Sequence, residues 1–249
     1  MNISERELLA MTKDMDEMHH DALPKMHAAV AGWAEEIGAV RPSRRGFLIG
    51  TGAAIGAVAL AACGGKDDKK STASAGGDTG LTGDLAVAAL AAGLENLAVN
   101  TYQGGLDAAT AGKLGAVPPA IATFAKTAQA HHRDHAAAWN SILTGAGKSK
   151  VTGVDLTVKE GVIDPAFANV KNVVDLAKLA LSLEDVAAAT YLNGINAALA
   201  SKGAIQTAIS IQPVEMQHSA ILNFVLGQYP VPASFASTQG ARAPSDKIG

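Results

Sequence analysis

Nine consecutive residues, Leu94-Glu95-Asn96-Leu97-Ala98-Val99-Asn100-Thr101-Tyr102, have a counterpart 89 positions later in Leu183-Glu184-Asp185-Val186-Ala187-Ala188-Ala189-Thr190-Tyr191, and Gly105 with Gly194 continues the match. A second pair of segments repeats at an offset of 83, setting Gln129, His132, His135 and Trp139 against Gln212, Glu215, His218 and Leu222. Both repeats lie in an Ala/Leu/Val-rich region with apolar residues at helical spacing, so each half is one copy of a helical hairpin. The spacing predicts helices from Asp84, as N-cap, to about Ala111, and from Pro118-Pro119 to about Leu143. Two more follow over roughly 168–201 and from about Ala204 to Gly227, where Pro213 should kink or restart the ladder. Short, long and short connections then give two antiparallel hairpins joined by one crossover, an all-α four-helix bundle over 84–228. Only 4% of the chain is aromatic, which suits closely packed Ala-rich helices better than a sandwich or barrel.

The repeated polar residues fall on apolar faces. Glu95 shares its face with Ala88, Ala91, Ala92, Ala98 and Tyr102; Glu184 shares its own with Ala177, Leu181, Ala187 and Tyr191; His218 lies over Ile211, Val214, Ile221 and Val225. A bare carboxylate in such a stripe costs several kcal/mol or stays protonated. Glutamates and histidines converging from four helices therefore point to a compensating cation, or else to buried Glu–His hydrogen-bonded pairs without metal. On the second helix the internal register sets His132-Arg133-Asp134-His135 against Glu215-Met216-Gln217-His218. The other register is Gln129-Ala130-His131-His132, and Asp134 also has the reach to point inward. The first is preferred because it also pairs Trp139 with Leu222 and Gln129 with Gln212.

On these residues the region from about 84 to 228 resembles the ferritin-like superfamily, most closely the bacterial ferritin-like domain proteins that are often exported. The family pattern is one Glu on each of helices one and three, plus Glu-x-x-His on helices two and four. The resemblance implies a metal set of Glu95, His132, His135, Glu184, Glu215 and His218. Within it Glu215 would bridge, Glu95 and Glu184 would be terminal, and His135 and His218 would fix the orientation. Tyr102, Tyr191, Gln129 and Asp134 would surround them, the tyrosines as hydrogen-bond donors, redox-active phenols or core residues. Iron is the implied cofactor, mono- or dinuclear, with manganese, zinc or copper also accepted by imidazole plus carboxylate. His132 departs from the pattern: it stands where a bridging carboxylate would, and leaves the shell at a formal −3 instead of −4. No catalytic side chain is assigned, and oxidation of the metal with O₂ or peroxide follows from family analogy alone.

The first 83 residues differ in kind. Residues 1–42 form an N-terminal helical extension, an amphipathic segment broken by Pro24, in which His19, His20 and His27 are either solvent-facing or a metal or partner site. Ser43-Arg44-Arg45-Gly46-Phe47-Leu48 then opens an uncharged Gly/Ala-rich stretch reaching Ala62. Residues 43–62 resemble a twin-arginine export signal, with Arg44, Arg45, Phe47 and Leu48 at its fixed positions. Leu60-Ala61-Ala62-Cys63 resembles a bacterial lipoprotein cleavage site, which implies cleavage before Cys63 and lipid on its thiol. Residues 63–83, rich in Gly, Ser, Asp and Lys, form a flexible tether, and 229–249 a tail that wraps the bundle or frays.

With a net charge of −3 and no basic run, nucleic acid is not an expected partner; one Cys excludes an intramolecular disulfide framework. The expected partners are a metal ion, the twin-arginine translocase and, through the N-terminal lipid, the membrane. The combined expectation is an exported, lipid-anchored, metal-binding protein on the outer face of the cytoplasmic membrane. The alternative is a non-catalytic structural or interaction bundle of the envelope. Oligomeric state is left open.

Overall fold

The computed structural model describes residues 4–39 and 80–243, so the export motif, the Cys63 lipidation site and most of the tether lie outside the described residues. Among the described residues the architecture is all-helical. Five long helices make the body: α1 (Glu5–Ala39), α2 (Asp84–Thr110), α3 (Pro119–Gly145), α4 (Val173–Asn193) and α5 (Lys202–Val225). The α2–α3 and α4–α5 hairpins form the four-helix bundle, and α1 packs along α3 and α5.

Local chemistry sets the ends. Ser4 and Glu7 make a reciprocal capping box at the start of α1, with Glu7 N donating to Ser4 Oγ at 3.2 Å and Ser4 N to Glu7 Oε2 at 2.9 Å. Asn172 caps α4 by accepting from Val174 N and Asp175 N, and Ser201 caps α5 by accepting from Ala204 N. Asp84 does not cap α2. Gly83 takes that position at φ 58°, and the Asp84 carboxylate instead accepts from Ala200 N and Ser201 N, both at 2.8 Å, fastening the start of α2 to the loop before α5.

The fourth helix is shorter than the pattern predicts. It ends at Asn193 and passes into a π-helical turn, Gly194–Ala198. The long connection is not bare loop either: it contains short helical pieces at Leu156–Val158, Lys159–Ile163 and Asp164–Phe167. Asn96 and Asn140 fasten it to the bundle through the backbone of Val151 and Gly153. Beyond α5 the chain folds back, and Arg242 N donates to Thr190 Oγ1 at 2.9 Å.

Neither internal proline breaks its helix. Pro24 lies within α1 and Pro213 within α5, each on the solvent side. The carbonyls they deprive of partners, those of His20 and Ile209, belong to exposed residues, where water can replace the lost bond. The apolar stripe on the opposite face holds each helix straight through.

On α1 the inward stripe is Leu8, Thr12, Met15, His19, Leu23, Met26, Val30 and Trp33, in steps of three or four. Leu8 and Met15 pack in a cluster with Tyr102, Phe124, Ile221 and Leu222; Met26, Val30 and Trp33 join Val87, Leu143 and Ile211 in another. Gly203 admits the helix here. A Cβ at that position would lie 2.3 Å from Trp33 Cβ and 2.8 Å from its Cα. The N-terminal extension is thus a fifth layer of the core.

Candidate metal centre

Six side chains from four helices meet at mid-bundle: Glu95 on α2, His132 and His135 on α3, Glu184 on α4, Glu215 and His218 on α5. Each is at most 2% exposed. His132 Nδ1 lies 2.7 Å from Glu95 Oε2, and its Nε2 lies 3.2 Å from Glu184 Oε1. His135 Nδ1 is 2.9 Å from Glu215 Oε1, while His218 Nδ1 is 3.3 Å from Glu184 Oε2 and 3.2 Å from Glu215 Oε2.

The donor atoms group into two overlapping sets. Glu95, His132, His135 and Glu215 form one, and His132, Glu184, Glu215 and His218 the other, with candidate donor atoms within 4.8 Å of one another in each. His132 and Glu215 belong to both. Carboxylate oxygen with imidazole nitrogen is a donor set that first-row transition metals accept. The residues therefore fit one divalent ion in either set, or two with Glu215 shared; a shared imidazole would have to lose both ring protons.

Electrostatics agree with a shell built for positive charge. No Lys or Arg is buried among the described residues. Burial works against charge on His132, yet the Glu184 and Glu215 carboxylates hold it well above its ordinary value. Burial likewise opposes His135, but Glu95 and Glu215 raise it to about 9, and Glu184 leads in raising His218. Against their own desolvation, Glu95 falls to about 2 beside His135 and His132, and Glu184 falls well below the carboxylate range beside His132 and His218. Without metal, protons on the imidazoles supply the countercharge.

A model of the ferritin-like domain covers residues 83–228. The chain belongs to the ferritin-like domain family. No curated protein and no solved structure matches it.

Around the centre of this ferritin-like domain, the tyrosines cross between halves. Tyr102 O–H on α2 donates to Glu184 Oε1 on α4 at 2.5 Å, and Tyr191 O–H on α4 donates to Glu95 Oε1 on α2. Burial, then the facing glutamate, raises both phenols well above their ordinary value, so both remain donors. Trp139 Nε1 donates in turn to Tyr191 Oη at 2.8 Å.

Neither Gln129 nor Asp134 belongs to a donor set. Gln129 is buried, but its amide donates to Val99 O and Gln103 Oε1, both at 3.0 Å. Asp134 is half-buried and belongs to neither donor set. His131 also lies outside the sets; its Nδ1 is 3.1 Å from His218 Nε2.

The three histidines of α1 divide between solvent and core. His20 and His27 are exposed, but His19 is buried, its ring stacked on His131 at 3.9 Å and 17°. Its place in the three–four stripe of α1 was the available signal.

Proposed function

We propose that this protein is an exported, lipid-anchored metal protein of the cell envelope, holding iron in the bundle through Glu95, His132, His135, Glu184, Glu215 and His218. The observation that carries the proposal is the pair of buried donor sets sharing His132 and Glu215, with no buried Lys or Arg among the described residues. Bound iron would supply one-electron chemistry with O₂ or peroxide. The chain's own contribution is positional. Tyr102 and Tyr191 each hold Oε1 of one glutamate and so fix its carboxylate, with Oε2 turned to His218 in Glu184 and to His132 in Glu95, and burial excludes water from all six side chains.

Metal analysis of protein purified from its own export route tests this, beside Glu95→Ala and His218→Ala. The expected result is stoichiometric metal in the parent chain and its loss in both variants; a metal-free parent overturns the reading. That outcome would favour a structural bundle, a reading supported by the ability of the three imidazoles to neutralise the carboxylates as protonated pairs. Export rests on the Ser43–Leu48 motif and Cys63. Replacing Arg44 and Arg45 together by Lys should strand the protein in the cytoplasm, and Cys63→Ser should abolish its lipid. Normal export or a lipidated variant would refute those assignments.

A further inference from the structure

α1 lies outside the matched span of 83–228, yet it reaches the metal centre. Its Asp16 is 41% exposed at the side chain, and Asp16 Oδ1 lies 3.1 Å from His131 Nε2. His131, 2% exposed, places its other ring nitrogen, Nδ1, 3.1 Å from His218 Nε2. His218 in turn directs Nδ1 at Glu184 and Glu215. Three side chains thus connect a solvent-accessible carboxylate on α1 to the interior of the bundle.

The hydrogen bonds along this line have one consistent direction. With Nδ1 of His218 committed to the centre, its Nε2 carries a proton and donates to His131 Nδ1. His131 must then be the neutral tautomer protonated at Nε2, which donates to Asp16 Oδ1. His20 Nε2 approaches the same Asp16 oxygen only to 3.6 Å, so His131 is its nearer imidazole partner. His19 covers one face of the ring, and neither nitrogen of His19 has a hydrogen-bond partner among the described residues, so it packs against His131 without competing for its polar edges.

We infer that Asp16 and His131 are positioning residues for the metal centre, a carboxylate–imidazole relay from α1 that fixes the tautomer and ring orientation of His218. Partners of this kind sharpen a ligand's basicity, and their loss typically weakens metal binding about 10–100-fold. The inference rests on the metal-binding reading above. It adds that the site extends beyond the ferritin-like domain into the N-terminal helix.

The test is Co(II) titration of the full chain, followed by visible absorption. Asp16→Asn should weaken Co(II) binding about 10-fold or more and shift the absorption bands. Asp16→Glu should restore much of both, while the metal-free melting temperature stays near that of the parent. Wild-type affinity and spectrum in Asp16→Asn would overturn the relay while leaving metal binding intact. Absence of Co(II) binding in the parent chain would overturn the metal reading and the relay with it. Independently of any variant, ¹⁵N chemical shifts of the histidine rings should show His131 protonated at Nε2 alone; the Nδ1–H tautomer would refute the relay.

Discussion

The two hairpins present nearly the same side chains to the centre in different surroundings. Glu95 and Glu184 are equivalent, as are Tyr102 and Tyr191, and His135 and His218. At the shared position α3 offers His132 and α5 offers Glu215. Behind the tyrosines the halves differ again. Trp139 fills the space near Tyr191 and leaves a cavity of about 10 Å³, whereas its counterpart Leu222 helps line an apolar cavity of about 50 Å³ beside Tyr102. His131 reaches His218, but its counterpart in the second hairpin is Val214. Duplication therefore retained the ligand-bearing geometry, and divergence acted on the central charge and on the packing one layer out.

The largest expected effect comes from restoring symmetry at the shared position. His132→Glu, with a carboxylate at both shared positions, should hold two divalent ions per chain more tightly than the parent, and Glu215→Gln should bind least, as read by metal stoichiometry after equilibration with limiting Fe(II) or Mn(II). Equal stoichiometry in parent and His132→Glu would show that imidazole and carboxylate are interchangeable there.

Trp139→Leu makes the first hairpin imitate the second. It removes the donor to Tyr191 and opens a cavity, and should cost about 3 kcal/mol in urea denaturation. A loss below about 1 kcal/mol, no more than one ordinary hydrogen bond, would show that the two packings are equivalent.

A pH scan separates the groups that are common to both halves from those peculiar to one. His135 and His218, raised in the folded protein, contribute stability that is complete below their ordinary 6.5 and is lost as pH rises, through about 9 for His135. His131 and His19, held down to about 2, act oppositely: the unfolded chain takes up their protons first, so stability falls as pH drops below 6.5. Glu95, also lowered to about 2, extends that acid loss below 4.5. The metal-free protein should be most stable near pH 6.5 by calorimetry. Replacing His131 by Val, the residue of the other half, should make the acid side shallower between 6.5 and 4.5 and leave the part due to His19.

The smallest effect contrasts equivalent glycines. A Cβ at Gly105 would come 2.8 Å from Leu176 Cδ2, while one at Gly194 meets nothing nearer than 3.8 Å. Gly105→Ala should cost about 1 kcal/mol and Gly194→Ala about zero or slightly less, both measured by thermal melts.

The fold was legible because the repeat carries its own register: offsets of 89 and 83 specify two hairpins, and inward glutamates specify depth. What escaped was long-range. Asp84 has the composition of a cap, but its best partners are amides more than 100 residues away. Pro24 and Pro213 are helix breakers locally, but each lies on a solvent face of a helix whose other face is buried. His19 is polar by type, and only the packing of α1 on α3 reveals that its ring is a buried cover for another imidazole. The crossing of the tyrosines was equally hidden, since sequence places each on the face of its own glutamate and only assembly pairs it with the other.

That crossing bears on the origin of the chain. A single hairpin holding Glu95, His132 and His135 would have buried its carboxylate without the phenol that satisfies it, because that phenol belongs to the other copy. An ancestral hairpin could thus have been stable only as a dimer, each subunit lending a tyrosine to its mate. Carrying both copies in one chain makes such an association internal and independent of concentration. Once neither copy had to match itself across a symmetry axis, one was free to exchange its bridging carboxylate for an imidazole.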